Sequence, residues 1–362
     1  MGFARFLIDN ARWLAAGALL TFMSGFGQTF FISIFAGEIR AEFGLSHGEW
    51  GAIYALGTTA SAIVMIWAGG LADRLRARVL GTAVLFGIVA ACLFMALNPY
   101  AALLPLVIFA LRFAGQGMAS HLGVVVMSRW FAKMRGRAIA TASLGFSFAE
   151  VTLPIGFVLL MGILDWRLLW IAAALIAMLG VPVLRQLLKS ERSPGDMVET
   201  AENLGFDGRH WTRNEALRHR VFWVTVPAVL GLSAFGTAFF FHQVHYAETM
   251  GFSHLSLVAS FPFYTAVSVG AMAAYGWALD KFGATRLLPF YELPLVAAFL
   301  CFALAQSCRS FGLGCCFSGC PRERMPHWCR PFGQRSMARA ILGPSRRWRR
   351  RSWCLDRRLG RG

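Results

Sequence analysis

Charge is scarce in this chain. Of 362 residues, 15% are Asp, Glu, Lys or Arg, and only 18 are acidic. A soluble domain carries about 25% charged residues, so an ordinary cytosolic enzyme is excluded. Cysteine is nearly missing before residue 306, where only Cys92 and Cys301 occur; a disulfide-stapled fold is excluded with it. Catalytic signatures are missing too. There is no G-x-x-x-x-G-K-[ST] loop for an ATP-driven pump, no H-E-x-x-H, and no Ser or Cys in a nucleophile elbow. What is present is apolar: 57% of the residues are hydrophobic and 14% aromatic, which excludes disorder and points to a polytopic membrane protein.

Nine apolar runs are long enough to cross a hydrocarbon layer of roughly 30 Å. They lie near 13–36, 51–72, 79–97, 100–128, 139–163, 166–184, 221–246, 255–279 and 287–305, and are numbered here as spans 1 to 9. Lipid leaves only helices or closed barrels as options, and continuous runs without alternation mean helices. The first run is too long for a signal peptide and lacks a small-residue cleavage site. With the N-terminus in the cytoplasm, inside segments hold eighteen Lys and Arg, and outside loops hold only Arg40 and Arg167. The charge rule therefore predicts a cytoplasmic N-terminus in an inner, plasma membrane. Residues 190–220 form a polar linker, with a turn at Pro194 and Gly195. Its "TRNEALRHR" reads equally as a basic amphipathic surface helix or as solvated chain.

Two loops repeat. "WAGGLADRLRARVL" follows span 2 and "YGWALDKFGATRLL" follows span 8. Each sets Gly four residues before Asp and a basic residue after it (Gly69, Asp73 and Arg74; Gly276, Asp280 and Lys281), with Gly70 beside the first. Glycine at a helix end lets helices approach closely, and an acid there can pair with basic groups or cap a neighbouring helix. Both loops fall at the same step of a six-span unit.

On these residues the chain resembles the major facilitator superfamily of secondary transporters. "LRFAGQG" in span 4 (Arg112, Gln116, Gly117) is similar to its fourth-helix motif. Gly145, Pro154 and Gly156 in span 5 resemble its Gly-Pro packing motif. "GGLADRLRAR" resembles the loop signature, with Arg76 where that pattern has Gly. "SRWFAKMRGRA" and "DWR" are similar to loops of the monocarboxylate and oxalate/formate branch. The resemblance implies an all-α fold of two six-helix bundles that rock about a solute near the midplane. Here that means a complete first bundle over 1–189, the linker 190–220, and three helices of a second bundle over 221–305. A small solute, plausibly an organic anion such as a monocarboxylate, would move by symport or antiport. The expected partners are that solute, the lipid bilayer and a coupling proton. No cofactor, metal or nucleic acid is called for, and the chain is expected to act as a monomer.

Charge inside a bilayer is costly and marks function. Arg112 in span 4 and Glu150 in span 5 each lie about twelve residues into their spans, close to mid-depth. Three readings stand: a neutralising ion pair; an anion-binding guanidinium with Glu150 as proton carrier; or groups facing an aqueous cavity without a defined role. Gln28, Gln116, His121 and Tyr54 are further candidates for the solute and proton pathway. His242 and His245 share a face at the end of span 7 with Glu248 nearby, and are expected to line an outer vestibule rather than bind metal. Phe239, Phe240 and Phe241 are expected to face lipid or pack.

Residues 306–362 differ in kind, with 14 Arg, no Lys, two acids and six of the eight Cys. A zinc site, a nucleic-acid arm and a polybasic lipid-binding tail are open readings. An out-of-frame stretch fits best, because nine spans from an inside N-terminus would put those Arg outside. Spans 10–12 would then be lost and transport impaired. A receptor on a transporter scaffold, an intramembrane enzyme or a non-functional fragment are the alternatives.

Overall fold

The computed structural model describes residues 3–131, 134–190, 213–251, 253–282 and 293–304. Helices occupy all nine predicted runs, and no strand occurs among the described residues. Spans 2 to 6 are the helices His47–Ala68, Ala77–Leu97, Leu104–Trp130, Arg135–Met161 and Trp166–Leu187. Spans 7, 8 and 9 correspond to Arg220–Met250, Phe261–Phe282 and Leu293–Leu304, with a short helix His254–Val258 leading into span 8. Within the linker, Arg213–Arg218 is helical; residues 191–212 and the Arg/Cys-rich tail lie outside the described residues.

Span 1 departs from expectation. Its apolar run is continuous, yet the backbone is broken into Ala11–Met23, a 3-10 turn at Ser24–Gly27, an extended Gln28 and helix again from Thr29, the two halves bent by 45°. The cause lies in span 4. A Cβ on Gly27 would stand 2.1 Å from the Leu111 carbonyl, and one on Gly115 would stand 2.6 Å from the Gly27 Cα. The two backbones touch with nothing between them, a contact only glycine permits. Span 4 is itself irregular there, running as a π-helix from Arg112 to Ala119.

The elements end as their sequences dictate. Gly44 closes span 1 at φ +63°, a left-handed conformation that glycine adopts without cost. Ser46 and Glu49 then form a reciprocal capping box at the start of span 2. Asp165 caps span 6 through the Arg167 amide. The Arg167 side chain binds Glu42 at 2.6 Å and the Ala96 carbonyl at 2.8 Å, while Trp166 donates to the same Glu42. One residue so fastens the ends of spans 1, 3 and 6.

Apolar side chains face outward as freely as inward. Leu56 is 64% exposed, Trp67 71% and Leu179 68%, an arrangement that water would penalise and lipid rewards. Within span 5 the predicted packing motif divides. A Cβ on Gly145 would stand 1.9 Å from the Ala18 carbonyl, so this glycine seats span 1 against span 5. Pro154 is buried. Gly156 faces open space and makes no close approach, although eleven residues, about three turns, bring it back to nearly the face that carries Gly145; at its level of the helix no neighbour comes close.

Candidate functional site: the seam between the helical halves

The broken span 1 and the π-helix of span 4 frame a buried polar cluster. Arg112 opens the π-helix, 4% exposed. Its Nη1 donates to the Thr29 hydroxyl at 2.9 Å and to the Gly27 carbonyl at 3.3 Å. Thr29 is the first residue after the break, so the break frees the Gly27 carbonyl and presents the hydroxyl together. Tyr54 of span 2 also donates to Thr29, at 3.0 Å, and its ring lies under the guanidinium at 5.6 Å. Gln28 is buried at the break itself. Gln116, one turn beyond Arg112, has a buried Oε1 without a hydrogen-bond partner among the described residues.

Glu150 is equally enclosed, 4% exposed. Its carboxylate accepts from the Thr265 hydroxyl of span 8 at 3.4 Å. It thus touches the second half of the chain, whereas Arg112 is directed into span 1.

Other ties between the halves gather on the side where span 1 ends. Gln243 of span 7 is fully buried and donates to Ser33 at 2.8 Å and to the Phe30 carbonyl at 3.2 Å. Ser33 donates in turn to the Phe240 carbonyl. Phe240 is buried against Phe30, Phe261 and Tyr264, and Phe241 packs on Trp50 and Tyr54. Both are packing groups.

His242 is exposed near the same end. The His245 ring lies against that of His47 of span 2, tilted by 59° with centroids 4.5 Å apart, and together with Glu248 their ligating atoms fall within 4.8 Å of one another. A metal would need that set, but Arg40 already donates to His47 at 2.9 Å and lies 3.9 Å from Glu248, placing a cation there.

The loop after span 2 is held from span 4. His121 donates to the Gly69 carbonyl at 3.2 Å, and Arg129 donates to the Ala72 carbonyl at 2.7 Å. His121 therefore attends the loop rather than the central cluster, carried there by the nine residues that separate it from Arg112. Gly70 precedes the one-turn helix Leu71–Arg74, and both Asp73 and Arg74 are exposed. In the second copy the span 8 helix runs on through Gly276, Asp280 and Lys281; the surroundings of those side chains lie outside the described residues.

A family model, the Major Facilitator Superfamily, matches residues 17–320. The chain belongs to the major facilitator superfamily. Two solved structures share its fold. A D-xylose–proton symporter is 15% identical, with a TM-score of 0.59 over 91% of this chain and 80% of that one. The inward-open form of the xylose transporter XylE from E. coli is 18% identical, with a TM-score of 0.54 over 86% of this chain and 80% of that one. No curated protein matches. As a member of this superfamily the chain is a multi-pass membrane protein and a secondary transporter working by alternating access.

Arg112 and Glu150 stand out in the sequence by their charge. Thr29, Ser33, Gln243 and Thr265, which the structure brings to the same seam, are single polar residues within apolar runs. Thr29 had a usable signal, since it follows Gln28 and the small pair Gly25 and Gly27.

Proposed function

We propose that the chain moves a small organic anion, coupled to protons or to a counter-anion, through the cluster at Arg112. The observation that carries this reading is an enclosed guanidinium at mid-depth, seated on the helix break, on hydroxyl and carbonyl partners. A desolvated arginine fork suits a carboxylate, and a hinge in the helix beneath it lets binding bias the motion of the halves. Glu150 is the proton carrier in this scheme. An enclosed carboxyl that bonds across the halves changes surroundings as they part, so its proton affinity changes with them. The eighteen-to-two bias in basic residues supports a cytoplasmic basic face. The halves as described are then tied at the outer side.

Purified protein in liposomes, offered radiolabelled small carboxylates and sugars with and without a pH gradient, tests this. Saturable carboxylate uptake is expected, reduced at least a hundredfold by Arg112→Gln. Glu150→Gln should abolish gradient-driven uptake while sparing counterflow. Sugar uptake indifferent to Arg112→Gln would replace the anion reading with a neutral-solute one. That alternative is favoured by the two xylose transporters and by the amides of Gln28, Gln116 and Gln243 around the seam.

A further inference from the structure

On the basic face, well away from the seam, lies a cavity of about 760 Å³ between the loop after span 2 and the ends of spans 3, 4 and 6. Arg74, Arg76, Arg78, Arg129, Arg185 and Lys189 line it, and among the described residues no acidic one does. Six like charges around one cavity repel each other unless an anion joins them. Arg129 shows how the site is shaped, since one of its nitrogens is committed to the Ala72 carbonyl, fixing that side chain at the cavity wall.

The walls lead on to lipid. Span 3 leaves the cavity with Val79 59% exposed and Phe86 46% exposed. Span 6 leads away from Arg185 and Lys189 with Val183, Leu179 and Leu175 exposed at successive steps of four residues, one face of a helix. Spans 3 and 6 pack against each other along their length, and each turns its stripe outward. A polar pocket of one charge, opening onto parallel apolar stripes that run toward mid-membrane, has the shape of an amphiphile.

The geometry points to a binding site for an anionic phospholipid. Its phosphate headgroup lies among the six cations and its acyl chains lie along Val79, Phe86 and the Leu175–Val183 stripe. A headgroup with two phosphates matches the cation count better than one with a single phosphate. Because Arg74 lies in the loop that joins spans 2 and 3 and Arg129 of span 4 holds that loop at the Ala72 carbonyl, an occupied site also steadies that loop.

Native mass spectrometry of the full chain in detergent tests the proposal without reference to the transported solute. The probes are cardiolipin, phosphatidylglycerol, phosphatidylcholine and inorganic phosphate. Retention of cardiolipin above phosphatidylglycerol, with phosphatidylcholine lost, is expected. The triple variant R78Q/R185Q/K189Q should weaken cardiolipin binding by roughly a hundredfold, from about 1 kcal/mol for each cation near an anionic surface. R78K/R185K should keep it. R5Q/R137Q/R218Q, which removes the same charge outside the cavity, should change it less than about threefold, since the charge lost there is not at the site. Equal retention of phosphatidylcholine, or undiminished binding by the cavity triple, overturns the proposal. So does displacement of lipid by equimolar inorganic phosphate on the wild-type chain, which would make this a site for a soluble anion. The wild-type competition stands even where a variant fails to fold.

Discussion

Two helix contacts in the first six spans are built on opposite plans. Spans 3 and 6 are continuous helices meeting along their length through buried apolar residues such as Leu85, Ile88, Leu169 and Ala173. Spans 1 and 4 meet through bare backbone, Gly27 on Gly115, where one helix is broken and the other widened to a π-helix. The buried guanidinium and its hydroxyl and carbonyl partners sit at the second contact, whereas the polar tie of the first, Arg167 on the Ala96 carbonyl, lies at its outer edge. A regular helix satisfies its own backbone and offers a polar neighbour nothing, whereas a break releases carbonyls that can accept from a buried cation. Irregular backbone is thus tolerated in the membrane where it has polar side chains to serve.

The most severe test of this contrast is Gly27→Ala. With a carbonyl 2.1 Å from the new methyl group, the contact must open, at a cost of at least about 3 kcal/mol. Loss of monodisperse protein in size-exclusion chromatography is expected. A Leu85→Ala change at the regular contact should give folded protein of lower thermal stability, by about 2–4 kcal/mol. Next comes Arg112→Lys, which keeps the charge but loses the fork between Gly27 and Thr29. Folding should survive and solute uptake should fall at least tenfold; undiminished uptake would mean the break needs a charge but no fork. Arg167→Ala should lower thermal stability by about 1–3 kcal/mol, because it releases Glu42 and the Ala96 carbonyl at the edge of the membrane. Smallest of all is Gly156→Ala. Open space surrounds it, so the change should lie between neutral and about 1 kcal/mol more stable, in sharp opposition to Gly145→Ala on the same helix.

The helices over the nine apolar runs could be read from the sequence because apolar length alone marks a membrane-helix candidate; among the described residues six of them, or seven with the bent span 1, are long and apolar enough to cross. Arg112 and Glu150 stood out because charge at mid-depth is rare. The break in span 1 could not be read. No proline marks it, and "SGFGQTFF" is no less apolar than a straight span; what bends it is a glycine 88 residues away. For the same reason the seam was invisible. Ser33, Gln243 and Thr265 acquire meaning only when it is known which helix each one faces. Gly156 shows the converse, a motif residue that meets no neighbour at its own level of the helix.

The buried Ser33–Gln243 link between the halves has a kinetic corollary. Hydrogen bonds lost when two surfaces separate are replaced by water almost without net change, whereas parting oily surfaces carry a large penalty. A latch made of a hydroxyl and an amide set among phenyl rings can therefore let go and re-form on the time scale of a working pump. Replacing Gln243 by leucine should make the closed side adhere and slow the parting of the halves.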